Sequence, residues 1–241
     1  MSVEPPFPSP RGQGPDRPER TRWATVGAPL LAVAAVIALV LGTLLGWMAF
    51  APRHPGDGSA EAGFARDMSE HHAQAVEMSL LVMQRSEDSS IRTLTYDIAT
   101  SQANQIGQME GWIRQWGLPM ARPGDRMEWM GGHEGHDMAM ADDGSAMPGM
   151  ATPAEMDRLR AAEGEQAEIL FLQLMTTHHL AGVDMAQAAV DLVEDPEVDR
   201  MARAMALAQA SEIDLMTELL ADRDSAPRED LSSEDADEQD D

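Results

Sequence analysis

Two histidine doublets carry the chemistry that this chain's side chains can do. Met68-Ser-Glu-His71-His72 is followed by Met78, and Met175-Thr-Thr-His178-His179 is followed by Met185, 107 residues later and without a gap. At about 100° per residue, Met68, His71, His72, Ala75, Met78 and Val82 fall on roughly one third of a helix's circumference. Imidazole nitrogen with thioether sulfur is a soft to borderline ligand set, suited to copper, and the thioether favours Cu(I) over Cu(II). A third group sits between the copies, in Met130-Gly-Gly-His133-Glu-Gly-His136-Asp-Met138-Ala-Met140. Its Gly and Asp oppose helix packing, and a His-rich tract is a compositional cue for metal. The candidate ligands are therefore His71, His72, His178, His179, Met68, Met78, Met175 and Met185, with Met130, His133, His136, Met138 and Met140 in the loop.

A plainer reading stands beside each of these. A helical histidine is ordinarily a hydrogen-bonded core residue, a Met on an apolar stripe is ordinarily core filler, and Met in a linker can be compositional drift. Against this, four imidazoles buried only for packing would each need polar satisfaction. Gln102 and Gln209 lie on the inward stripes of the following helices, where an amide can serve a ligand's second ring nitrogen. Glu77 falls opposite Met68, so Glu77 and Asp184 are expected to face solvent.

These residues must be positioned by helices. The repeat extends past the doublets: Phe64 aligns with Phe171, Asp88 with Asp195, Ile98 with Met205, Gln102 with Gln209 and Met109 with Met216. A period this long is a duplicated two-helix unit, not a solenoid repeat. Ser59 and Asp88 read as caps of the first two helices, ending near Ser86 and Trp116, with Gly117 and Pro119 as the stop. Thr152-Pro153-Ala154-Glu155 reads as a capping box opening the third helix, and Asp195-Pro196 as the start of the fourth, which ends near Asp222. The expected fold is all-α, an antiparallel four-helix bundle built from two αα-hairpins over residues 61–222, with a Met/His-rich linker at 120–151.

The 241 residues carry a formal net charge of −25 and no Cys. Such acidity argues against nucleic-acid binding, which needs basic patches, and the lack of Cys rules out disulfides and thiolate metal sites. Residues 1–22 are rich in Pro, Gly and Arg and are expected to be disordered. Residues 24–50 hold no charge, and about 20 apolar residues suffice to span a bilayer as a helix. A transmembrane helix over 23–51 is expected, followed by a linker over 52–60. The Arg-rich flank places the N-terminus inside and the bundle outside the cytoplasm. A cleaved signal peptide is the alternative, but its apolar region is normally about 7–15 residues. Residues 223–241, strongly acidic, read as a disordered tail.

Phe64, Met68, His71-His72, Ala75, Met78, Gln102, Gln105-Ile106, Met109 and Trp112, recurring at Phe171, Met175, His178-His179, Met185, Gln209, Glu212-Ile213 and Met216, resemble domain-of-unknown-function family 305. That resemblance implies a ferritin-like bundle in exported or membrane-anchored bacterial proteins, some associated with copper. Two departures within the repeat stand out: Trp112 aligns with Leu219, and Gln105 with Glu212. The carboxylate pattern of a di-iron bundle is missing, since no Glu or Asp lies three residues before a doublet histidine. His-Glu-x-x-His, a nucleophile elbow and a phosphate loop are missing too. The expectation is a non-catalytic, membrane-anchored protein for copper sequestration or hand-off, its runner-up a structural bundle with His–Gln core networks and no physiological metal.

Overall fold

The computed structural model describes residues 24–50, 54–121, 126–131 and 144–228. They form six α-helices and one 3-10 turn, with no strand among the described residues: α1 (Ala24–Phe50), α2 (Ala60–Met83), α3 (Ser89–Gln115), the 3-10 turn (Glu128–Met130), α4 (Pro153–Ala161), α5 (Gly164–Leu192) and α6 (Pro196–Ala221). The chain divides into a unit ending at Arg53 and one beginning at His54.

The first unit is α1. Its stretch Pro29–Met48 has a mean hydropathy of 2.5, long and apolar enough to cross a membrane. Its polar Thr43 is satisfied within the helix, the hydroxyl donating to the Leu39 carbonyl at 2.7 Å.

The second unit is a bundle of two hairpins, α2–α3 and α5–α6, joined chiefly through α2 and α5. The caps form as the sequence requires. Asp88 accepts from the backbone N–H groups of Ser90 and Ile91, Asp195 accepts from Glu197 and Val198, and Thr152 with Glu155 makes a complete capping box. The third predicted helix, however, is two helices. Ala162 is extended (ψ 149°) and Gly164 adopts φ +55°, a left-handed conformation that costs glycine nothing. Arg85 covers the carbonyls exposed at this break, its guanidinium donating to Leu159, Arg160 and Ala162.

The core is in two parts. One apolar cluster contains Ala75, Met78, Ile98, Met175 and Met216, and the other contains Met68, Met109, Met185 and Met205. Each long helix changes cluster where a polar residue interrupts its stripe: α2 at His71-His72, α3 at Gln102, α5 at His178-His179 and α6 at Gln209. Met68 thus shares a cluster with Met185, and Met78 with Met175, so α2 and α5 run antiparallel and cross at the doublets. Each fully buried Met, Leu or Phe contributes roughly 1.5–3 kcal/mol, and the polar layer forgoes that gain.

The tail is ordered further than its charge pattern predicts. Arg223 donates to Glu168 and Asp88, Arg228 reaches Glu155, and the Ala226 carbonyl accepts from Gln173. Residues 223–228 therefore belong to the folded unit. The remaining tail, from 229, and the N-terminal segment to residue 23 lie outside the described residues.

Candidate metal centre

All four doublet histidines are fully buried, as are Met68, Met78, Met175 and Met185. His71 and His178 meet at the α2–α5 crossing, with ring centroids 3.7 Å apart and planes 30° from parallel. His178 Nε2 donates to the His71 carbonyl at 3.0 Å. The other two rings each face the partner helix of their own hairpin. His72 Nε2 lies 2.8 Å from Gln105 Oε1, and His179 Nε2 lies 2.7 Å from Glu212 Oε2. Both contacts span 33 residues, so they are the same contact in the two copies.

Gln102 and Gln209, expected to serve the imidazoles, do not. Both are buried in the layer, yet Gln102 Oε1 and both polar atoms of Gln209 lack a protein partner. Periodicity places 102 at the middle of the α3 stripe and 105 at its edge, and it is the edge residue that reaches His72. Gln209 packs directly on Gly182, where a Cβ would overlap its amide oxygen. Glu77 is exposed and pairs with Arg160 at 2.6 Å, while Asp184 is half-buried.

Nine buried side-chain nitrogen or oxygen atoms among the described residues lack a hydrogen-bond partner, and eight belong to this layer: both ring nitrogens of His71, Nδ1 of His72, His178 and His179, and the Gln102 and Gln209 atoms above. Leaving such a group unsatisfied costs about 1–3 kcal/mol, so their concentration in one layer sets it apart from the rest of the core. Where Nε2 donates, Nδ1 carries the free lone pair, which is the form of a histidine that binds a metal. Burial and the neighbouring His72 and His179 push His71 well below the ordinary imidazole range. Burial also holds His178 well below it, and brings His72 down to about 3 against the opposing effect of the hydrogen bond that its Nε2 donates to Gln105. These three rings are neutral at physiological pH, ready to ligate without losing a proton. Among the described residues no three His, Asp or Glu side chains group as a metal site. A metal held here would draw on the thioethers beside the rings, a donor set that fits copper and not a hard ion.

The loop candidates divide. His133, His136, Met138 and Met140 lie outside the described residues. Met130 is not the free loop thioether that its surroundings in sequence imply: it is buried in the cluster with Phe64 and Met68. Trp129 lies against Gly63, edge-on to Phe64 at 5.8 Å, and this brings Met130 onto α2. Asp67 fixes the turn, accepting from the Met127 N–H at 2.8 Å and Trp129 Nε1 at 2.9 Å, while Arg126 forks onto Glu70. On the far side, Gln74 exchanges two hydrogen bonds with the Ala151 backbone, at 2.7 and 2.8 Å. Asp67, Glu70 and Gln74 flank the first doublet on α2, so both ends of the Met/His linker are fastened beside it. Composition alone could not show this; the lone Trp129 in a Gly/Met-rich stretch was the only signal.

Comparison with known proteins agrees with this architecture. The profile of a family described as a domain of unknown function (DUF305) matches residues 61–220. A DUF305 protein from Streptomyces coelicolor is 47% identical over 72% of this chain and 99% of its own, with a TM-score of 0.64. A DUF305 fragment from Deinococcus radiodurans is 33% identical over 71% and 99%, with a TM-score of 0.56. CopM, solved in a Cu(II)-bound form, is 26% identical over 68% and 97%, with a TM-score of 0.52. No curated protein matches.

Proposed function

The chain belongs to the DUF305 family, and from that premise we propose that it is a membrane-anchored, extracytoplasmic copper-binding protein that sequesters the ion or hands it on. The observation that carries this reading is the buried layer of four imidazoles with unpartnered Nδ1 atoms, set between two pairs of buried thioethers. The Cu(II)-bound form of CopM, a relative of the same fold, supports the choice of metal. The helix Ala24–Phe50 supports an anchor, and the Streptomyces relative, described as a secreted protein, supports a place outside the cytoplasm. Copper is cargo here, and the protein's part is to bind it. His71, His72, His178 and His179 supply nitrogen, and Met68, Met78, Met175 and Met185 supply sulfur. The linker with His133, His136, Met138 and Met140 would capture ions beside the first doublet, while Met130 anchors it in the core.

The test is a titration of the full chain in detergent with Cu(II) by calorimetry and with Cu(I) by anaerobic competition, alongside His71→Leu. Wild type should bind at least one ion with a Kd at or below about 1 μM. His71→Leu should weaken that binding yet raise the apo melting temperature by at least about 4 °C, because it removes two unsatisfied buried nitrogens worth roughly 1–3 kcal/mol each. Wild-type binding no tighter than about 1 mM would end the copper reading. A His71→Leu chain that is less stable when apo and binds copper normally would leave the histidines as core residues.

A further inference from the structure

We infer that Glu212 makes the two doublets unequal, fitting the one on α5 for a divalent ion and leaving its twin on α2 to a monovalent soft ion. This rests on the copper-binding reading and adds a specificity determinant to it.

The duplication supplies its own control. Across the 107-residue offset His71 matches His178, His72 matches His179, Gln102 matches Gln209, Met68 matches Met175 and Met78 matches Met185. Among the polar groups of the layer and their direct partners, the side chain that differs in charge is Gln105 against Glu212. Both occupy the same place: half-buried, one hydrogen bond from a fully buried ring, at 2.8 and 2.7 Å. The chemistry at that place differs in two ways.

The first is the tautomer. A carboxylate only accepts, so when His179 holds an ion its Nε2 keeps the hydrogen and Nδ1 is left as the ligand atom. An amide can turn over and offer N–H instead, so Gln105 leaves the His72 tautomer free to change. The second is charge. Neutral imidazole and thioether ligands cannot compensate an ion placed in a water-poor interior, and the cost of burying a charge grows steeply with its size. A carboxylate one hydrogen bond behind the ligand offsets one unit of it and makes the imidazole a stronger donor. On the α5 side a divalent ion keeps one uncompensated charge, and on the α2 side it would keep two.

The surroundings agree. Gln105 and Glu212 both line a groove of about 920 Å³ between α3 and α6, whose other charged residues are Asp97, Glu197 and Arg200. Arg200 pairs with Glu197 at 3.5 Å on the same helix. Among the described residues no arginine is paired with Glu212, so its charge is directed to His179.

The experiment titrates the full chain in detergent with Cu(II) and, separately, with Ag(I) as the air-stable monovalent probe, for wild type, Glu212→Gln, Glu212→Asp and Gln105→Glu. Contributions from the linker are common to all four proteins and cancel in the comparison. Glu212→Gln should weaken Cu(II) binding by about 10–100-fold while Ag(I) affinity stays within about threefold, and Glu212→Asp should restore Cu(II). Gln105→Glu, which removes nothing from the core, should add one Cu(II) per chain, seen as a second signal of equal intensity by electron paramagnetic resonance. Wild-type Cu(II) affinity in Glu212→Gln, or an unchanged Cu(II) count in Gln105→Glu, overturns the inference while leaving copper binding intact. A wild-type chain that takes neither ion fails earlier, at the copper reading itself.

Discussion

A fully buried imidazole with no cation beside it is held neutral by its surroundings, and this gives the protein a pH signature. His71, His72 and His178 are all displaced below the ordinary value of 6.5, His72 to about 3, with burial the first cause in each. The unfolded chain takes up protons at these rings below about pH 6.5, whereas in the folded chain burial holds His71 and His178 well below that value and brings His72 down to about 3. Stability is therefore complete above 6.5 and is lost as the pH falls, by up to about 1.4 kcal/mol per pH unit for each ring. Apo melting temperatures at constant ionic strength should fall steadily from pH 7 to pH 4.5. A flat profile over that range would mean the rings are wetter or better partnered than their burial implies. At this scale the sequence was partly legible. The inward face of each doublet followed from helical spacing. That Gln105 and Glu212, not Gln102 and Gln209, reach the rings did not, because periodicity assigns a face but not which neighbour on it meets a given atom. Met130 was misplaced for a related reason: its burial depends on Trp129 folding against Gly63, a contact between segments 66 residues apart in the chain.

Among the elements, the least expected is the short helix Pro153–Ala161. Its start was legible in the capping box, since cap and capped residues are three apart. Its end was not. Gly164 is one ordinary glycine in a helical pattern until tertiary contacts select its left-handed conformation, and Arg85, which closes the helix, lies 74 residues before Leu159. The three carbonyls held by Arg85 would otherwise turn to water at the bundle's end. Arg85→Met, which keeps the aliphatic stem, should lower stability by about 1–2 kcal/mol through the lost charge-assisted bonds. Protease susceptibility should rise at residues 160–164 with no change in metal affinity. Unchanged stability and cleavage would show that α4 is held by Met156 and Leu159 alone.

At the scale of the whole molecule, duplication explains most of what the sequence revealed. Buried positions repeat at the same offset through both hairpins: Ile91 with Val198, Thr95 with Ala202, Ile98 with Met205, Met109 with Met216 and Ile113 with Leu220. Glu61 and Glu168 extend the match in a way the sequence did not disclose. Glu61 accepts from the backbone of Glu194 in the turn of the other hairpin, and Glu168 accepts from Ser86 in the opposite turn. Each hairpin so holds the other's bend. The N-terminal unit carries its own expectation. If Ala24–Phe50 is an anchor with its basic flank inside, a reporter fused after Asp241 that works only in the cytoplasm should be silent, and a periplasmic-type reporter there active. The reverse result would place the histidine layer on the wrong side of the membrane for the proposed role.

The closed burial of the four rings also sets a clock. No atom of His71, His72, His178 or His179 is open to solvent, so an ion lodged among them departs only when α2, α3, α5 and α6 part enough to admit water or a recipient's ligands. Its residence time is then governed by the free energy of that breathing motion, which in folded proteins ranges from near zero to the full unfolding value, more than by the strength of the bonds to the ion. A recipient that pries apart the α3–α6 groove would shorten the wait without needing greater affinity. Under the proposed role, delivery would be decided by who can open the protein, and storage would be what happens when nobody does.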